Sequence, residues 1–135
     1  MKEKVRKTNH SVYNINYHIV FCPKYRHNIF KDQLEYEISK MFKNIAFNYG
    51  FEILEQEIMP DHVYLFISTS PIIAPTEIIK ILKSVSANEL FKAFPSLKKS
   101  KFWGSGLWSK GYYVGTAGAV SSEIIQRYIQ NQKLV

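Results

Sequence analysis

From Val12 to Phe21 the chain alternates: Tyr13, Ile15, Tyr17, Ile19 and Phe21 share one side, and Asn14, Asn16 and His18 the other. A period of two marks a half-buried strand, and Pro23, with no N–H to give to a ladder, ends it. The period then changes. Leu34, Ile38, Met41, Phe42, Ile45 and Tyr49 recur at helical spacing over residues 31–49, and Gly50 supplies the stop. Residues 51–58 and 62–68 predict two more strands, divided by Met59-Pro60-Asp61 and close enough to pair as a hairpin. Thr76 is placed to cap a second helix whose apolar stripe (Ile78, Ile79, Leu82, Val85, Leu90, Phe91, Phe94) runs up to Pro95. Residues 96–101 read as a basic loop, 107–115 as a fourth strand weighted by Trp108, Tyr112 and Tyr113, and 115–119 as a small-residue hinge. Ser121 or Ser122 then caps a last helix running through Gln132.

The order strand, helix, strand, strand, helix, strand, helix predicts an α+β protein whose first six elements follow the ferredoxin-like (RRM-like) plan. Both crossover helices cover one face of the antiparallel sheet. Val63, Leu65 and Ile67 then point at the helices, and His62, Tyr64 and Phe66 at the open face. The last helix is free to dock on that open face, in its own or a partner subunit. Residues 1–10 read as a mobile basic arm and 11–135 as one domain.

Composition narrows the function. A chain of 135 residues with 46% hydrophobic and 21% charged residues is an ordinary globular domain with a real core. The net charge of +7 points to a polyanionic partner, nucleic acid before membrane. A single cysteine, Cys22, excludes an internal disulfide and fits a reducing cytoplasm. Thr8-Asn9-His10-Ser11 stands where a signal peptide needs an apolar stretch, and no apolar run is long enough to span a bilayer.

The candidate chemistry lies in two separated segments. His62 and Tyr64 share a strand face, as a metal-binding pair requires, and Tyr128 and Gln132 lie one helical turn apart. A tyrosine hydroxyl is a poor nucleophile at its ordinary pKa near 10, so it needs a phosphate already polarised by a cation. Magnesium or manganese can do this, held by oxygen and imidazole ligands. The bland alternative is a packing tyrosine, a satisfied strand histidine and a solvated glutamine. Lys24, Arg26 and His27 after the first strand, Lys80 and Lys83 on the second helix, and Lys98, Lys99 and Lys101 beside Phe102 and Trp103 are the candidate phosphate and base contacts.

The segments Tyr17-His18-Ile19-Val20-Phe21-Cys22-Pro23-Lys24-Tyr25-Arg26, Met59-Pro60-Asp61-His62-Val63, Ser86-Ala87, Leu107-Trp108-Ser109, Tyr112 to Gly118 and Tyr128 to Gln132 occur together and in order. In them the chain resembles the single-tyrosine transposases of the insertion-sequence 200/605 type, members of the HUH (His-hydrophobic-His) nuclease superfamily. The resemblance implies that Tyr128 attacks single-stranded DNA to form a 5′-phosphotyrosine bond and free a 3′-hydroxyl. It implies that His62 and Gln132 bind a divalent cation, Mg²⁺ or Mn²⁺, with no nucleotide cofactor. It implies a homodimer in which one subunit's tyrosine helix completes the other's site, acting on hairpins at element ends. One position departs: the family's second metal-binding histidine falls at residue 64, which is Tyr64. Three readings follow: a weakened site of His62, Gln132 and water; a site repaired by a neighbour such as His18; or a DNA-binding protein that no longer cuts. Without the resemblance, the alternative is a non-catalytic single-stranded nucleic-acid-binding module with Tyr64 and Phe66 as a stacking platform.

Overall fold

Four strands form an antiparallel sheet in the spatial order β4 (Glu52–Met59), β5 (His62–Ser68), β3 (Asn16–Phe21), β6 (Tyr113–Thr116). The computed structural model describes residues 6–7, 12–13, 15–102, 105–116 and 122–131. The two central strands are the first and third of the motif, which is the ferredoxin-like order expected from the sequence. Ahead of them, β1 (Arg6–Lys7), within the segment read as an arm, pairs with β2 (Val12–Tyr13) in a separate two-stranded ladder. Among the described residues no helix is long and apolar enough to cross a membrane.

Helices α1 (Asp32–Tyr49) and α2 (Pro75–Ala93) cover one face of the sheet. Ile38, Phe42 and Ile45 of α1 and Ile78, Ile79 and Leu82 of α2 meet Ile19, Phe21, Val63, Leu65 and Ile67 in one buried cluster. Burying each such side chain contributes about 1.5–3 kcal/mol. Gly50 ends α1 in the left-handed region, φ 80°, with its N–H on the Ala46 carbonyl at 3.0 Å. That is the stop read from the sequence, and a side chain there would be strained.

Three sequence expectations need correction. Thr76 does not cap α2; the helix starts at Pro75 with Ala74 outside it, since a proline at the first helical position loses no bond. Pro95 does not end the helical region but opens α3 (Pro95–Phe102), so the expected basic loop is a helix. Leu97 and Phe102 anchor it, the Phe102 ring lying 5.7 Å from Phe91 and 5.2 Å from His27. The fourth strand is shorter than residues 107–115: only a bridge between Pro23 and Trp108 precedes β6. Besides these, β4 carries a bulge, because Ile53 pairs with Ile67 but Glu55 with Phe66. Ile53 and Ile58 are five apart, so strict alternation cannot turn both to the helices. The extra residue at Leu54 resolves this and puts Glu55 and Glu57 on the open face.

The segment between α3 and β6 is pinned to the body. Trp108 donates its indole N–H to the Ser86 hydroxyl at 3.0 Å and packs edge-on against Phe21 at 4.6 Å. Ser109 donates its backbone N–H and hydroxyl to the Cys22 carbonyl at 2.9 and 3.1 Å. The Lys83 ammonium donates to the carbonyls of Ser109 and Gly111, both at 2.8 Å.

Candidate active site

The open face is covered in part by α4 (Ser122–Asn131), which packs on the sheet of its own chain. Between them lies a cavity of about 710 Å³. Glu55, Glu57 and Met59 from β4 and His62 and Tyr64 from β5 form its floor. Gln126, Ile129 and Gln130 form its roof, with Arg26 and Asp61 also in its wall. The sequence expectation that the last helix docks over His62 is met in this geometry.

His62 is held by its neighbour. Its Nδ1 lies 2.9 Å from Asp61 Oδ1, and since a carboxylate only accepts, Nδ1 donates, which leaves Nε2 as the ring nitrogen for any further partner. The other Asp61 oxygen takes Arg26 Nε at 3.1 Å. Arg26 in turn donates through Nη1 to the Ile129 carbonyl at 3.1 Å. Tyr25 and Arg26, at φ 60° and 50°, are successive left-handed residues without being glycines. Each such backbone costs about 1–2 kcal/mol, and strain of this kind collects at functional sites.

Tyr64, where the resemblance implies a second histidine, turns its hydroxyl to His18 Nδ1 at 2.6 Å. Burial, with Glu55 and Glu57 beside it, pushes its phenol up to about 12, so it is a neutral donor at neutral pH. His18 does not repair the site. It pairs with Phe66, four residues along β5 from His62, a separation of about 13 Å at the rise of a strand. Among the described residues no three His, Cys, Asp or Glu side chains converge as a metal site.

Tyr128 lies on the same sheet face but outside the cavity wall. Its hydroxyl is buried near Cys22 and Ser109. Cys22 follows Phe21, whose partner is Val63, so it stands beside His62 in the sheet. Burial first, then Cys22, push the Tyr128 phenol above the usual tyrosine range. Ser109 pulls the other way but lies outside hydrogen-bonding geometry, and the hydroxyl has no partner among the described residues. An unsatisfied buried hydroxyl costs about 1–3 kcal/mol. Gln132 and Trp103 lie outside the described residues.

The basic residues divide into three groups. Lys98, Lys99 and Lys101 stand exposed on α3, which packs through Phe102 against His27, so they share an end of the molecule with Lys24 and Arg26. Lys83, read in the sequence as a phosphate contact, is instead turned inward to the 109–111 carbonyls. Burial lowers it to about 8. Arg26 is bound to Asp61 and Ile129. Sequence reasoning missed Asp61, Ser109, Glu55 and Glu57; only the adjacency of Asp61 to His62 was a usable signal.

A family model described as IS200-like transposase matches residues 11–132, and the chain belongs to that family. It is 36% identical over 129 residues to the ISDra2 transposase TnpA of Deinococcus radiodurans, spanning 96% of this chain and 91% of that one. It is 32% identical over 123 residues to the transposase for insertion sequence element IS200 of Salmonella typhimurium, 91% of this chain and 80% of that one. A crystal structure of a transposase candidate from D. radiodurans superimposes with a TM-score of 0.88 at 35% identity, over 96% of this chain and 99% of that one. A REP-associated tyrosine transposase solved with a REP hairpin shares the fold at a TM-score of 0.56 and 9% identity, over 92% of this chain and 67% of that one.

Proposed function

We propose that this chain is a transposase of single-stranded DNA that binds a hairpin at an element end and cuts beside it through Tyr128, with a metal site weakened at position 64. The observation that carries this reading is the seat of Tyr128. Helix α4 sets its hydroxyl on the His62 face of the sheet, beside Cys22, the strand neighbour of that histidine.

In the reaction, the Tyr128 oxygen attacks the phosphorus and loses its proton. The bond to the departing strand's 3′-oxygen breaks, leaving a 3′-hydroxyl and a 5′-phosphotyrosine bond. Attack by a 3′-hydroxyl on that bond rejoins the DNA. Burial raises the Tyr128 phenol above its usual range, so its proton stays on the oxygen until attack. The family implies Mg²⁺ or Mn²⁺, which when bound would polarise the phosphate. The described donors do not complete such a site: His62 offers one ring nitrogen, Tyr64 is a phenol bonded to His18, and Gln132 would have to supply a further ligand.

Lys24 and the lysines of α3 make up the phosphate-binding end, while Arg26 is engaged by Asp61 and Ile129. The protein acts in the cytoplasm as a homodimer, with a hairpin-bearing single strand as substrate. A non-catalytic hairpin-binding protein is the second reading, favoured by the occupied Tyr64 hydroxyl. The test is incubation with a hairpin-bearing single strand and Mn²⁺, followed by denaturing electrophoresis. A covalent adduct in the wild type that is lost in Tyr128→Phe supports the nuclease. Hairpin binding with no adduct supports the second reading.

A further inference from the structure

We propose that Arg26 is a positioning residue that latches the carboxyl end of α4, and with it Tyr128, to the Asp61–His62 pair. The inference rests on the reading of Tyr128 as the nucleophile and goes beyond a general basic contact with DNA.

Three bonds run in series. His62 Nδ1 donates to one Asp61 oxygen at 2.9 Å, Arg26 Nε donates to the other at 3.1 Å, and Arg26 Nη1 donates to the Ile129 carbonyl at 3.1 Å. Ile129 is the residue after Tyr128 and lies in the last turn of α4. The last four carbonyls of a helix ending at Asn131 have no donor inside it, and a helix carboxyl end favours a cation. Arg26 therefore meets a vacant acceptor with the charge that suits it.

The planar guanidinium is what allows both bonds at once. Its nitrogens form a rigid fork, one arm on the carboxylate and one on the helix. A lysine ammonium is a point charge and fits one acceptor or the other. The strained left-handed pair Tyr25–Arg26 sets where this fork starts, and Phe30 fixes the Pro60–Asp61 turn by donating to the Pro60 carbonyl at 3.1 Å. Both ends of the bridge are thus anchored independently of α4. With the latch closed, the imidazole and the tyrosine helix are held in one frame.

The single cysteine reports the latch. Cys22 is fully buried and has Tyr128 beside it, so lifting α4 uncovers its thiol. In native buffer, Arg26→Ala is expected to react with a maleimide at Cys22 about tenfold faster or more than the wild type, the size expected for a lost charge-assisted bond. Arg26→Lys should fall between, and Asp61→Asn should also accelerate labelling. Trypsin cleavage after Arg127, on the exposed side of α4, should rise in the same order. With hairpin DNA at saturation, Arg26→Ala should slow adduct formation while the hairpin Kd stays within about threefold. Unchanged labelling and unchanged cleavage in a variant with wild-type circular dichroism would overturn the latch. Where Arg26→Ala does not fold, Arg26→Lys and Asp61→Asn decide by the same two rates. A latch confirmed by labelling with no adduct in the wild type removes the nuclease reading alone; an adduct with unaltered labelling removes the latch alone.

Discussion

His18 Nδ1 and the Tyr64 hydroxyl are 2.6 Å apart, and their rings stack with centroids 5.9 Å apart. This bond draws the phenol along the sheet toward His18, four residues of β5 away from the level of His62. The side chain that stands where the resemblance implies a second histidine is therefore already engaged elsewhere.

Tyr64→His is expected to restore a second imidazole two residues from His62 on the same strand face. Mn²⁺ affinity, read by calorimetry, should rise at least about tenfold, since even changes around a ligand move affinity by that much. Adduct formation should rise with it. No change in either would remove ligand loss as the defect.

The Tyr64 phenol should titrate late. Its folded value is raised to about 12 from an ordinary 10. A raised value in the folded state means that its contribution to stability is intact below pH 10 and lost as the pH climbs through 12. In absorbance titrations at the tyrosinate band, Tyr64→Phe should remove a step near 12.

Lys83→Met should destabilise the fold by about 2 kcal/mol in urea, because carbonyls of the 109–111 segment lose a charged donor. It should barely change the salt dependence of hairpin binding. A drop of about one in that slope would instead place Lys83 on the DNA.

The α3 lysines should behave in the opposite way. Replacing Lys98, Lys99 and Lys101 by serine should leave the urea midpoint close to wild type, since all three are exposed. The slope of log affinity against log salt should flatten by about two, at roughly 0.7 per phosphate contact on a single strand. An unchanged slope would take α3 off the binding surface.

Much of the fold was legible because each signal was local. Alternation from Tyr13 to Phe21 and the glycine at 50 act within a few residues; α1 formed where its signal lay, and β3 over the later part of the alternation, from Asn16, with Val12–Tyr13 in a separate ladder. Helix α3 was hidden because Leu97 and Phe102 are five apart, off a helical stripe, and lysines fill half of the rest. The fourth strand was read too long because the break after Trp108 depends on Lys83, more than twenty residues upstream. In the site, His62 and Tyr128 stood out by residue type. Their connection did not, because Arg26 and Ile129 are 103 residues apart in sequence and meet only once α4 folds back.

The bulge at Leu54 makes the site electrically lopsided. Without it Glu55 and Glu57 would point into the helix-covered interior; with it both carboxylates rim the cavity beside Tyr64. A sugar-phosphate backbone is repelled along that rim and drawn by Lys24 and the α3 lysines. On the proposed function, that lopsidedness would steer DNA in from one direction and set the sense in which a strand could pass His62.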